Sequence, residues 1–402
     1  MAALAGSLGL VTACGVSFGT LPRASGSTSS GPAGPSTPPT STTSTATSTP
    51  ATLDVSPVDL ATGVLPTASV TVKAATGTLV GVTVTDQYGS ALAGSVTADG
   101  AWVSTARMRP STAYTITAKA TGPDGTASTT TSTFKTLVPA VTATYAMNYS
   151  GDTVGVGMPV DIQFDSSVTR RAYQAAIEKA MRITVTPAQV GSWGWLDNRQ
   201  LMWRPKNYWL PGSVVRVEAP LTGFQTGDTK WIARGMTGGF TVGSATISYV
   251  NIATHEMTVI QGGRTLRVIP VSTGRDQMPY ITRSGTKVVI EKQPTVQMDA
   301  ATAGIPKGSP DYYNEKVDLA IRLTWTGEYI HSAPWSVAAQ GNTNVSHGCT
   351  NISPTNAQWM YDLTKVGDIV VFTGSSRPFL PTEGIGVWQY SYAQWQQQSA
   401  LR

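Results

Sequence analysis

The sequence predicts a mainly β chain, with two immunoglobulin-like β-sandwich domains followed by a β-rich third domain. Three observations lead there. Only 13% of the residues are charged, while the chain holds 40 Gly and 25 Pro. Short segments alternate apolar and polar side chains, as in Tyr114-Thr-Ile-Thr-Ala-Lys-Ala, which is the period of a half-buried strand. Turn signals recur between them, at Gln87-Tyr-Gly, Ala98-Asp-Gly and Gly122-Pro-Asp-Gly. A length of 402 residues suits two to four domains, and 41% hydrophobic residues can fill packed cores. The net charge is +5, from 28 cations and 23 anions. With no basic cluster interleaved with aromatics, that excess argues against a nucleic-acid binder.

Residues 1–14 are uncharged and apolar and end in Val11-Thr-Ala-Cys14. Small residues before a cysteine resemble a bacterial lipobox, which makes Cys14 the expected lipidation site. Residues 15–53 are rich in Ser, Thr and Pro, with no charge between Arg23 and Asp54, and are expected to form a disordered tether. Its 39 residues span roughly 35 Å as a coil and roughly 120 Å when extended.

Residues 54–137 are expected to form the first sandwich, with about seven strands. Residues 138–243 repeat the style. There Val160, Ile162 and Phe164 alternate, and the stretch 170–181 carries helical spacing. Trp102, Trp193, Trp195, Trp203 and Trp209 suggest a glycan platform, but large side chains at alternating positions fit a sandwich core better.

Residues 244–383 continue in strands such as Thr286-Lys-Val-Val-Ile and Ile369-Val-Val-Phe, with a hairpin at Gly262-Gly263 and a helix over 356–364 after Pro354. Residues 384–402 are expected to pack back on this third domain through Trp388 and Trp395.

The chemistry concentrates in one place. Of two cysteines and three histidines in the chain, the window 331–349 holds one cysteine and two histidines. A thiol attacks as thiolate, so it needs an imidazole to take its proton and a third group to hold that imidazole. Cys349, His331 and Ser332 fit those roles. Gly348 lets the backbone turn so that adjacent amides converge on an oxyanion. In an extended segment His347 shares a face with Cys349, either touching the sulfur or orienting the loop. His255 lies apart and receives no role.

His331 followed after fourteen residues by Ser346-His347-Gly348-Cys349-x-Asn351 resembles the signature of the L,D-transpeptidases, cysteine enzymes of peptidoglycan cross-linking with a YkuD-type catalytic domain. The flanks His331-Ser-Ala-Pro-Trp335 and Ser353-Pro-Thr-Asn-Ala-Gln-Trp359 are similar to mycobacterial and other actinobacterial members. Thr350 departs from the pattern, where an apolar residue is usual, and is expected to affect packing. The resemblance implies a 3→3 cross-link between meso-diaminopimelate residues of stem peptides, made through a Cys349 thioester with His331 as base and acid. It implies that the Ser332 main-chain carbonyl orients His331, and that the Gly348 and Cys349 amides and the Tyr313 hydroxyl form the oxyanion hole. Met298, Tyr313, Trp335, Ser346 and Asn351 match substrate-binding positions. No cofactor is expected. The expected partners are peptidoglycan stem peptides, a membrane reached by lipid anchor, and carbapenem inhibitors. The expected location is the outer face of the plasma membrane, the periplasmic space and the cell wall.

Most other readings fit the residues less well. Three zinc ligands from His331, His347 and Cys349 leave no further ligand at motif spacing. In a papain-like protease the cysteine precedes the histidine. A stem-trimming hydrolase fits the residues equally well, since it would use the same ones with water in place of an amine as acceptor. An adhesin would leave the His/Cys cluster unexplained.

Overall fold

The computed structural model describes residues 49–402 apart from Gly304. The expected lipidation site Cys14 and most of the expected tether lie outside these residues. Sandwich structure begins inside the stretch read as tether: the first strand starts at Thr52, and the Thr49 amide donates to Asp124 at 2.8 Å.

Eight strands form the first sandwich. One sheet orders Thr52–Ser56, Thr71–Thr76, Trp102–Ser104 and Gly94–Val96; the other orders Ala61–Val64, Ala127–Thr136, Ala113–Thr121 and Thr78–Asp86. The alternation in Ala113–Thr121 turns Tyr114, Ile116, Ala118 and Ala120 inward. Tyr114 stacks on Phe134 at 5.3 Å between ring centroids, and its hydroxyl accepts the Arg109 amide at 2.7 Å. Trp102 fills the core and lies against Gly94, where a Cβ would sit 2.0 Å from the indole.

The second sandwich pairs two four-stranded sheets. One orders Tyr145–Asn148, Val160–Phe164, Gln200–Pro205 and Gly191–Trp195; the other orders Thr153–Val154, Met236–Val242, Val214–Ala219 and Arg182–Thr186. The expected helix is present at Arg171–Ala180. Trp195, Trp203 and Trp209 are buried and Trp193 is half-buried, so these rings serve packing. The Trp203 ring lies over Gly191, which has no Cβ to obstruct it, and stacks on Trp209 at 5.3 Å.

In the third domain two sheets enclose a core of Val250, Met257, Ile269, Ile330 and Phe372. The five-stranded sheet orders Arg264–Pro270, Glu256–Gln261, Thr246–Asn251, Ile369–Thr373 and Gly285–Val288. The hairpin of Glu256–Gln261 with Arg264–Pro270 turns through Gly262 and Gly263, both at positive φ. The four-stranded sheet orders Glu291–Asp299, Asn314–Arg322, Tyr329–Ser332 and Thr350–Ile352. The helix Pro354–Leu363 starts on Pro354 with the Ser353 hydroxyl accepting the Asn356 amide, and it buries Ala357 and Met360.

The C-terminal segment packs on both the second sandwich and the third domain, and Trp388 and Trp395, expected to contact the third domain, go to the second sandwich. Trp395 is fully buried against Gly194, Leu196 and Met202 of the second sandwich, with its Nε1 donating to the Ser192 carbonyl at 3.0 Å. Trp388 Nε1 donates to the Gly157 carbonyl at 2.7 Å. The buried Glu178 accepts from the Ser399 hydroxyl at 2.5 Å and the Ala400 amide at 2.8 Å. Contact with the third domain is made by Gln389, whose Nε2 donates to the Thr286 carbonyl at 2.7 Å. The physical reason is that the second sandwich supplies both the flat glycine-lined surface for an indole and the buried acid for the chain end. Trp395→Ala is expected to weaken the second sandwich by about 3–5 kcal/mol. Urea unfolding of the full chain checks this, and a loss below about 1 kcal/mol would show that the tail is not structurally integrated.

Candidate active site

Parallel pairing of two short strands builds the site. Tyr329–Ser332 and Thr350–Ile352 run side by side with Ile330 opposite Thr350 and His331 opposite Asn351. Cys349 immediately precedes the second strand, so the nucleophile candidate enters the sheet beside the imidazole candidate. His331 is 4% exposed, and its Nδ1 lies 2.8 Å from the Ser332 carbonyl oxygen. A carbonyl only accepts, which puts the ring proton on Nδ1 and leaves Nε2 as the basic nitrogen. The Trp335 ring, exposed at the rim, lies 6.0 Å from the His331 ring.

Cys349 is buried and free of any disulfide. Its sulfur is held by one short segment: Sγ donates to the Gly327 carbonyl at 3.5 Å, and the Tyr329 amide donates back to the sulfur. The loop before it is braced by Ser346, whose hydroxyl donates to the Cys349 carbonyl at 2.6 Å and accepts the Gly348 amide at 3.1 Å. Gly348 has φ of +127°, a region that excludes side chains, and its carbonyl accepts from the Thr282 hydroxyl at 2.8 Å.

A cleft of about 250 Å³ opens over these groups, and Met298, Tyr313, Trp335, Ser346, His347 and Asn351 line it together with His331 and Cys349. Asn351 donates through Nδ2 to the Ser336 hydroxyl at 3.1 Å, and its Oδ1 is buried without a partner. The described residues contain no cluster of three His, Cys, Asp or Glu side chains able to hold a metal ion.

Residues 245–372 match the YkuD family, the L,D-transpeptidase catalytic domain, and residues 61–225 match a bacterial Ig domain family. The chain is 39% identical to L,D-transpeptidase 2 of Mycobacterium tuberculosis (strain CDC 1551 / Oshkosh) over 346 residues, covering 85% of this chain and 83% of that protein. It is 33% identical to L,D-transpeptidase 5 of M. tuberculosis (strain ATCC 25618 / H37Rv), covering 87% of this chain and 77% of that one. The chain belongs to the L,D-transpeptidase family. A solved structure of an LD transpeptidase in complex with imipenem is 38% identical, covers 59% of this chain and 100% of its own, and superposes with a TM-score of 0.49.

Two features of this L,D-transpeptidase differ from the expectations. His347 does not share an extended face with Cys349, because the bend at Gly348 breaks the alternation. Its ring instead packs between Tyr280, 5.0 Å away edge-on, and Tyr313, 4.7 Å away, with Nε2 buried and unpartnered. The Gly348 amide, expected to face an oxyanion, is engaged by Ser346.

Several residues at the site escaped the sequence. His255 sits at φ +59° and approaches Asn344 Oδ1 through Nδ1 at 3.0 Å. Asn344 also accepts from the Thr273 amide and hydroxyl at 2.9 Å each and donates to the Ile252 carbonyl at 3.0 Å, pinning the approach to Ser346. Beneath the sulfur lies a buried ion cluster of Glu328, Lys287 and Arg283, with Glu383 at its edge. Nothing in the local pattern marked these charges as interior.

The resting protonation follows from burial. Loss of solvation pushes the Cys349 thiol up to about 12, with the Tyr329 amide opposing, Glu328 adding and Lys287 opposing. Burial likewise lowers His331 below the ordinary histidine value, against the Ser332 carbonyl. In the folded site burial favours the neutral thiol and the neutral imidazole. Iodoacetamide labelling of Cys349 across pH is therefore expected to rise only above the ordinary thiol value near 8.5. A labelling midpoint at or below pH 7 would contradict a neutral resting pair.

Proposed function

We propose that this L,D-transpeptidase forms 3→3 cross-links between meso-diaminopimelate residues of peptidoglycan stem peptides through a Cys349 thioester. The observation that carries the reading is the orientation of His331: its Nδ1 is engaged by the Ser332 carbonyl, and it shares a cleft with Cys349 across the parallel strand pair.

In the first step the Cys349 sulfur attacks the carbonyl at the L-centre of the donor diaminopimelate while its proton passes to His331 Nε2. The carbonyl oxygen becomes an oxyanion. With the Gly348 amide engaged by Ser346, the Cys349 amide and the Tyr313 hydroxyl are the assigned donors. Collapse breaks the C–N bond to the terminal D-alanine, whose nitrogen takes the proton from His331. In the second step the side-chain amine of an acceptor stem attacks the thioester carbon, His331 takes its proton, and the C–S bond breaks to regenerate the thiol. Met298, Trp335 and Asn351 shape the cleft around the stem.

A β-lactam carbonyl can acylate the same sulfur, because ring opening keeps the leaving nitrogen tethered and a compact cleft limits access of an acceptor. By family resemblance carbapenems are the expected class.

Incubation of the chain with purified disaccharide-tetrapeptide tests the reading by mass spectrometry. The wild type should release D-alanine and give a cross-linked dimer, and a carbapenem should add one mass increment per chain. Cys349→Ala should do neither, and His331→Ala should slow both by about 100-fold or more. Product or adduct in Cys349→Ala would place the nucleophile elsewhere, and D-alanine release without dimer would make the chain a carboxypeptidase.

We further propose that the chain is exported and anchored by lipid at Cys14, supported by the apolar run that ends in Val11-Thr-Ala-Cys14. Cells fed an alkyne fatty acid should label the wild type and not Cys14→Ala; equal labelling of the two would reject the anchor.

A further inference from the structure

Glu328 separates the two peptide groups that touch the Cys349 sulfur. The Gly327 carbonyl on one side accepts from Sγ at 3.5 Å, and the Tyr329 amide on the other donates to it. The carboxylate between them turns inward and is 4% exposed. Its Oε1 accepts from the Arg283 amide at 3.0 Å and from Arg283 Nη1 at 2.9 Å, while Oε2 accepts from Lys287 Nζ at 2.5 Å. Lys287 is fully buried, with Nζ 3.8 Å from the centroid of the Phe372 ring. Arg283 is held in turn by Glu383 at 2.9 Å.

The adjoining residue grips the opposite wall. Thr282 donates its hydroxyl to the Gly348 carbonyl at 2.8 Å and accepts the Gly274 amide at 2.8 Å. One dipeptide, Thr282-Arg283, therefore fixes both the loop that carries the nucleophile and the segment that faces it. Charges this deeply buried are poor stabilisers compared with apolar side chains of similar volume, so packing alone does not account for them here.

We propose that Glu328, with Lys287 and Arg283 as its counter-ions, is a positioning residue for Cys349: it aims the Gly327 carbonyl and Tyr329 amide at the sulfur and sets the charge beneath it. This rests on Cys349 being the nucleophile. The other groups near the sulfur are His331 on the same sheet, and Tyr313, Glu315 and His347 around the cleft, with the Tyr329 phenol alongside. Glu328 and Lys287 supply the opposed fixed charges beneath it.

The test is the pH profile of iodoacetamide labelling at Cys349 in the full chain, which needs no substrate. Glu328→Gln removes a negative charge and should move the midpoint down by about 0.5, whereas Lys287→Met removes a positive charge and should move it up by about 0.5. A purely structural role would not give shifts of opposite sign, so equal or absent shifts overturn the electrostatic part. Glu328→Asp keeps the charge but withdraws the carboxylate by one methylene, and should slow labelling about tenfold at the plateau. Should Glu328→Gln fail to fold, with Lys287 left uncompensated, Glu328→Asp decides, and a wild-type plateau in that variant overturns the positioning role. Failure here leaves cross-linking by the wild type untouched, while an inactive wild type would remove the functional reading without altering these profiles.

Discussion

The parallel pairing of Tyr329–Ser332 with Thr350–Ile352 is the constraint on which the site depends. Parallel neighbours need a crossover, and here residues 333–349 make it, folding over the sheet end and returning with Cys349 at its close. Register then does the placing. His331 opposite Asn351 sets the imidazole two residues along the sheet from Cys349, and a one-residue slip would turn His331 to the other face. The Asn351 amide and carbonyl are both bonded to the Ser272 backbone, at 2.8 and 3.1 Å, which holds that register from the far side.

Burial at this junction decides the chemistry as much as proximity does. A thiol and an imidazole removed from water both resist charge, which favours the neutral form of each at rest. The same low-dielectric setting strengthens every fixed dipole nearby. That makes the two peptide groups around Glu328, and the loop hydroxyl of Ser346, more consequential than their modest bond counts suggest.

That His331 and Cys349 share one cleft was legible because their residue types are scarce and the spacing is distinctive. The helix Pro354–Leu363 was legible from Pro354, and the strands from alternation in Ala113–Thr121. The buried Lys287–Glu328 pair was not, since its members stand 41 residues apart and a charge in a strand reads as solvent-facing until its partner is known. The packing of His347 between Tyr280 and Tyr313 was not legible, because the bend at Gly348, with its positive φ, cannot be read from residue types alone. The destination of the tail's tryptophans was hidden for a related reason: Trp395 meets Ser192 across 203 residues, and only the folded second sandwich reveals a surface shaped for it.

The central claim is a neutral imidazole at His331, protonated on Nδ1 and basic at Nε2, beside a neutral thiol. Nitrogen-15 NMR of histidine-labelled protein at pH 7 reads this directly, with His331→Gln used to assign the resonance. The account predicts one protonated nitrogen at Nδ1 and a bare Nε2; two protonated ring nitrogens at that pH, the signature of an imidazolium beside a thiolate, would contradict it.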